Sequence, residues 1–329
     1  MDILDYLKDS PSPAWAAENA AAMLMAAGFS DATGKPIVAG SSIYLRPHSG
    51  MVIAARLPAK AEAAELKFRI IGAHTDSPHL RLKPNAGIQK DDLTLLASEI
   101  YGGALLYTWF DRELGIAGEV YYKEAGVVKS KLVKTATPVA IVPSLAIHLQ
   151  RGVNEDGFAP AKSEGLNALF AQGADAGAFS RWLCDEAKIS ADLLLSYDLS
   201  LFDLTAPTRA GLNHEFLHSA RLDNLVSCHA ALSALAAGEA KDTIQIAALF
   251  DHEEIGSVSE GGAESGITEN LLREIFVACS DSDSDYRNAI GRGVFLSADM
   301  AHGVHPHYAD KHDTVKDNRP RLGGGVTVK

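Results

Sequence analysis

Three short, almost wholly apolar runs in this chain each stop at residues that bind metals. Residues 68–73 lead into His74-Thr75-Asp76, residues 244–250 into Asp251-His252-Glu253-Glu254, and residues 294–298 into Asp299. Apolar, partly β-branched runs bounded by Gly and polar residues read as buried strands, although a buried helical segment fits any one of them taken alone. In open α/β sheets the site lies outside the carboxyl ends of the strands. Three strands ending at one edge would bring imidazole and carboxylates together in one pocket. That pattern points to a metal-dependent hydrolase.

The chain is long enough for about two domains, with 329 residues of which 47% are apolar. Its formal net charge of −12, with no run of Lys or Arg, argues against a nucleic-acid partner. The start, Met1-Asp2-Ile3-Leu4-Asp5, is acidic rather than signal-like. No apolar stretch reaches the roughly 18 residues that a membrane span needs. Cys184, Cys228 and Cys279 are far apart and fall in helical patterns, which predicts buried thiols in a reducing cytoplasm rather than a disulfide framework.

Ser12-Pro13 opens a helical pattern that runs to Gly28, with Ser12 as N-cap and Pro13 in the first turn. Residues 51–57 and 68–73 read as strands. Residues 115–122 and 127–133 alternate around Glu124-Ala125-Gly126 as a β-hairpin. Proline punctuation at Pro138 and Pro143, a loop around Asn154, Asp156, Gly157 and Pro160, and a strand-like 191–204 follow. Strand-and-helix alternation then resumes: helix 223–237, strand 243–250, helix 268–279, strand 293–298. The simplest parse is one α/β domain, residues 1–88 and 213–329, interrupted by a β-rich insertion at 89–212. Asp281-Ser282-Asp283-Ser284-Asp285 reads as an acidic loop.

Each motif has a bland reading and a chemical one. His74 and Asp76 fit a metal ligand with the carboxylate that orients it, since a ligating imidazole usually donates its second N–H to such a partner. Asp223, in Ser219-Ala220-Arg221-Leu222-Asp223-Asn224, fits a helix cap or a bridging metal carboxylate. Glu253-Glu254 is the sharpest signal, because adjacent carboxylates just past a buried strand repel. One could ligate metal while the other takes a proton from the attacking water and passes it to the leaving amine. Asp299 ends the third strand and opens a segment with His302, His305, His307, Asp310, His312 and Asp313. That segment could hold a metal of its own, though His305 and His307 read better as loop residues.

At these residues the chain resembles the aspartyl aminopeptidase family of cytosolic zinc peptidases. The matching stretches are GAHTDSPHLRLKPN, YGGALLYTWFDRELGIAGEV, PSLAIHLQRGVNE, SARLDNL, FDHEEIGSVSEGGA and SADMAHGVHPHYADKH, in the family's order. The resemblance implies a three-layer α/β/α domain with a mixed sheet, which cleaves the N-terminal residue from peptides and prefers Asp or Glu there. It implies two zinc ions: His74, Asp223 and Asp299 on one, Asp223 and Glu254 on the other, with Glu253 as general base and Asp76 behind His74. It makes the insertion an assembly domain of a homo-oligomeric dodecamer, with His148 reaching a neighbour's site, and it sets Lys329 beside the substrate side chain. Trp15 and Ser144 stand where the family usually has histidines, and His79 occupies a variable position. The chain ends in GGGVTVK, before the family's last zinc ligand, so at most about one tightly bound zinc and little activity are expected. A deacylase or carboxypeptidase on the same scaffold, and an inactive assembly subunit, are the alternative readings.

Overall fold

The computed structural model describes residues 1–240 and 242–328. The chain opens with helices α1 (Ile3–Asp9) and α2 (Pro13–Ala26) and strands β1 (Ser30–Asp31), β2 (Ser42–Leu45), β3 (Val52–Arg56) and β4 (Phe68–His74). A second group follows: β5 (His79–Lys90), β6 (Leu93–Tyr101), β7 (Leu114–Glu124), β8 (Val127–Lys134), the short α3 (Val153–Asp156), β9 (Ala168–Gln172), α4 (Ala178–Ala187) and β10 (Leu194–Asp203). A small hairpin of β11 (Thr208–Ala210) and β12 (Phe216–His218) leads back to α5 (Leu222–Ala237), β13 (Ile244–Phe250), α6 (Gly266–Ser280), α7 (Tyr286–Gly291) and β14 (Val294–Ser297).

The first sheet has the order β1-β2-β3-β13-β4-β14 and is mixed: β13 runs antiparallel to β3 but parallel to β4, and β14 is parallel to β4. Successive side chains on a strand face opposite ways, and here both faces are apolar. Val52, Ala54, Ala247 and Leu249 face α1, α2 and α5, whereas Ile53, Ala55, Ile246, Ala248 and Phe250 face α6 and α7. Continuous apolar runs result, as strands covered on both sides require. The expected α/β/α layering with a mixed sheet is what the chain forms. Strand β14 is the exception, with Val294, Phe295 and Leu296 each more than half exposed at one edge of the sheet.

The second sheet, β8-β7-β10-β5-β6-β9, has its own core with α4, built from Leu80, Leu96, Ile116, Val120, Phe179, Leu183 and Leu201 among others. It starts at His79 and so draws on residues N-terminal to 89. The two sheets are stapled through Trp15 on α2, whose indole N–H donates to the Val133 carbonyl at 2.9 Å. Lys134 Nζ lies 4.7 Å from that ring's centre and 3.0 Å from Asp9 Oδ1. Cys184, Cys228 and Cys279 are free and buried, as their spacing predicts. No helix among the described residues is long and apolar enough to cross a membrane.

Candidate metal centre

Strand register decides where the site forms. Phe250 on β13 pairs with His74 on β4, and Ser297 on β14 pairs with Gly72. The Ala298 amide still donates to the Gly72 carbonyl at 2.7 Å, which brings Asp299 level with His74. Gly72 allows this tight packing, because a Cβ there would come 2.6 Å from the Phe295 ring. Asp223 arrives from the other side. Helix α5 starts at Leu222, yet Asp223 has φ −84° and ψ 109°, outside helical geometry, so its side chain is not tied to the helix surface. Next to it, fully buried Asn224 donates from Nδ2 to the Ala298 carbonyl at 2.8 Å, tying the Asp223 turn to the Asp299 strand end.

The result is an imidazole nitrogen ringed by carboxylates. His74 Nε2 lies 3.4 Å from Asp223 Oδ1, 3.7 Å from Glu253 Oε2 and 3.8 Å from Asp299 Oδ1. Donor atoms of His74, Asp223 and Asp299 all fall within 4.8 Å of one another. Ligands held at about 2.0–2.2 Å around a tetrahedral zinc are themselves roughly 3.3–3.6 Å apart, so this donor set fits zinc in size and in chemistry. The charge balance points the same way. Burial by itself pushes the His74 imidazole down, but hydrogen bonds to Asp223 and Asp76 and the charges of Asp76 and Glu253 carry it up to about 10. A proton there answers the same carboxylate field that would attract a cation.

Behind His74, Asp76 is fully buried. Its Oδ1 is 3.3 Å from His74 Nδ1 and accepts the Glu253 amide at 3.2 Å, while Oδ2 accepts the Glu254 amide at 3.0 Å and the Tyr101 hydroxyl at 2.8 Å. His74 Nδ1 also lies 3.0 Å from the Asp76 carbonyl. Burial would raise the Asp76 pKa, but the contacts with His74, Tyr101 and the Glu254 amide outweigh it and hold the carboxyl below its usual range. One carboxylate thus orients the imidazole and anchors the turn carrying both glutamates. Thr75 adds to the anchor, its hydroxyl donating to the Gly50 carbonyl at 2.6 Å, with the Phe250 carbonyl as the alternative acceptor at 3.0 Å. The Cys228 thiol donates to the His74 main-chain carbonyl at 3.0 Å.

Glu254 lines the same cleft as Asp223. Burial raises its pKa despite the opposing charge of His74, and Asp76, Asp223 and Glu253 add to the rise. The cleft offers about 880 Å³, bounded by Ser12, Trp109, Arg112, Arg221 and neighbouring residues. His148 is exposed in the short turn Ile147–Leu149 and does not line it. Lys329 lies outside the described residues. His302, His305, His307 and His312 sit in an irregular loop, where His312 Nε2 accepts the His305 amide at 3.0 Å. Among the described residues they form no second group of three metal donors. Sequence reasoning alone does not single out Tyr101, Thr75 or Asn224. All three lie inside the matching motifs, but nothing in their spacing marks them as supports of the centre.

With this geometry in hand, comparison with known proteins decides the family. The family described as Aminopeptidase I zinc metalloprotease (M18) matches residues 6–329. The chain belongs to the M18 zinc aminopeptidases. It is 41% identical to a probable M18 family aminopeptidase 2 of Pseudomonas aeruginosa (strain UCBPP-PA14) over 336 residues, covering 99% of this chain and 76% of that protein. The fold matches Ape4 in its complex with Nbr1 at a TM-score of 0.89 and 30% identity, covering 97% of this chain and 66% of that one. It also matches the S. cerevisiae mApe1 dodecamer at 0.82 and 26%, covering 97% and 74%. The chain therefore spans about three quarters of the length of the curated relative and two thirds of Ape4.

Proposed function

We propose that this M18 chain removes acidic N-terminal residues from peptides, with zinc held by His74, Asp223 and Asp299 and a second, weaker position shared by Asp223 and Glu254. The observation that carries this is the ring of Asp223, Glu253 and Asp299 around His74 Nε2, backed by Asp76. Zinc bound there supplies a Lewis acid for the scissile carbonyl and makes water a better nucleophile near neutral pH. Glu253 would take the proton from that water and deliver it to the leaving amine, a role supported by its half-exposed side chain and by its Oε2, 3.7 Å from His74 Nε2. Asp76 fixes the ring of His74 and, through the two amides, the direction of both glutamates.

An acidic first residue calls for a cation, and two arginines border the cleft. Arg112 pairs with Asp203 at 2.5 Å. Arg221 gives Nε and Nη2 to the main-chain carbonyls of Ser10 and Leu7, and burial pushes its pKa down to about 10. The β5–β10 sheet is read as the homo-oligomerisation domain, whose exposed Leu145, Ile147 and Leu149 flank His148. The dodecameric architecture of mApe1 supports this reading.

The test is a substrate panel assayed before and after chelation and zinc restoration. Peptides with free Asp or Glu at the N-terminus should be cleaved ahead of those with Leu or Lys, and N-acylated peptides should be inert. Preferential hydrolysis of acylated substrates would replace the aminopeptidase with a deacylase. Activity that survives full chelation would remove zinc from the account.

A further inference from the structure

The second sheet reaches the metal centre at one turn. His79 and Tyr101 pair across β5 and β6, and their rings stack 4.4 Å apart at an interplanar angle of 13°. That stack holds the phenol over Asp76, to which its hydroxyl donates at 2.8 Å. Because Asp76 is fully buried, no water can take over if this donor is lost, and a buried acceptor left short of partners is costly. The next residue, Gly102, has φ +66°, and a Cβ there would come 3.0 Å from Glu254 Cβ and 3.1 Å from Glu254 Oε2. Two adjacent residues of one turn thus touch the centre at separate points: Tyr101 through the carboxylate that orients His74 and the glutamate turn, Gly102 directly against Glu254.

We propose that Tyr101 and Gly102 are positioning residues for the zinc centre, so that the inserted sheet helps set zinc affinity as well as carrying assembly surface. This rests on the reading that His74, Asp223 and Asp299 hold zinc. Tyr101 touches no reacting atom. Its effect passes through Asp76, whose carboxylate keeps the His74 ring and the two glutamate amides but loses a fixed donor when the hydroxyl goes. Partners behind metal-ligating histidines typically change metal affinity by about 10–100-fold when they are removed. Gly102 acts by leaving room: a side chain there would press on Glu254, whose Cβ and Oε2 would have to shift by a few tenths of an ångström, and would strain the backbone at φ +66°.

The experiment compares the purified chain with Tyr101→Phe and Gly102→Ala. Each is titrated with zinc against a chromophoric chelator, its cobalt(II) form is examined by visible absorption, and its metal-free unfolding is followed in urea. Tyr101→Phe should bind its tightest zinc measurably more weakly, by less than the about 10–100-fold that loss of the histidine's direct partner causes, with an altered cobalt spectrum. Gly102→Ala should keep that affinity and weaken the second site, and an unchanged second site would remove Gly102 from the proposal. A folded Tyr101→Phe with wild-type affinity and spectrum would overturn the proposal, leaving Tyr101 a packing role visible only in urea. Should one variant fail to fold, the other decides by its own zinc titration. A wild-type chain that binds no zinc would remove the zinc reading itself, a result distinct from a wild type that binds zinc and variants that match it.

Discussion

In the metal-free protein, Asp251→Asn should be stabilising at alkaline pH and nearly neutral in effect under mild acid. Asp251 follows β13, buried, and its carboxyl is pushed up to about 7 by burial first and by the charge of Asp76 second, against the opposing pull of the His252 amide and His48. A folded-state pKa above the ordinary carboxylate value means the native state holds this proton more tightly than the unfolded chain does. Stability contributed by the group is therefore largest at low pH, falls as pH rises from about 4 towards 7, and is level above that. Between pH 5 and 8.5 that loss amounts to roughly 2–3 kcal/mol, at 1.36 kcal/mol per unit. Asparagine keeps an oxygen for the His252 amide, which donates to Asp251 Oδ1 at 2.8 Å, so the turn into Glu253-Glu254 should survive. Space would not allow a larger side chain, since even a Cβ at Gly50 would come 2.0 Å from Asp251 Oδ2. The assay is urea unfolding of wild type and variant, with chelator present, at both pH values. The variant-minus-wild-type difference should grow in the variant's favour by that amount. A difference that stays flat, or one that favours wild type at pH 8.5, would refute the reasoning about Asp251.

Two shorter predictions follow from the centre and from the sheet edge. Glu253→Gln preserves size and the proposed ligands, so it should cost about 10²–10⁴ in kcat while zinc content by elemental analysis stays unchanged. Loss of zinc with activity would make Glu253 a ligand, a role its 3.7 Å approach to His74 Nε2 also permits. Leu296→Lys, on the exposed edge strand β14, should slow aggregation measured by light scattering without altering zinc affinity, because charged residues on an edge oppose strand-to-strand pairing.

What the sequence made legible follows from what its patterns report. Strands β3, β4, β13 and β14 stood out because burial on both faces, or pairing beside a buried strand, leaves an unbroken apolar run. The endpoints of β4, β13 and β14 stand out because carboxylates directly after such runs are costly without a partner. The hairpin of β7 and β8 was visible through its alternation and its Glu124-Ala125-Gly126 turn. Strand β5 was not. Its residues include Pro84, Asn85 at φ 55° and three cations, and its pairing with β6 shifts register between Leu82 and Gly87. A proline within a run normally demotes it to an edge or a bulge, and the long, intact β6 beside it holds this strand in the sheet. Helix α4 shows in the sequence only as a helical pattern around Cys184, without bounds: it is short, and Phe179, Leu183 and Ala187 are buried against the β5–β10 sheet.

The site divides along the same line. Candidate ligand types announce themselves in sequence, because few residues bind zinc and here they fall at strand ends or, for Asp223, at a helix start. Their supports do not, because a tyrosine hydroxyl or an asparagine amide gains meaning only from what lies opposite. Tyr101 is 25 positions from Asp76 in the chain, and Asn224 is 74 from Ala298. Each supplies a side-chain hydrogen bond across that gap, to Asp76 Oδ2 and to the Ala298 carbonyl respectively. On the proposal above, the charges around His74 come from the strand ends of the first sheet and the start of α5, while a turn from the second sheet sets their geometry. On that proposal, the segment between β4 and α5 alters the candidate metal site without contributing one of its proposed ligands. Changes that loosen its packing beneath β6 should reach zinc through Asp76 before they reach the fold of the first sheet.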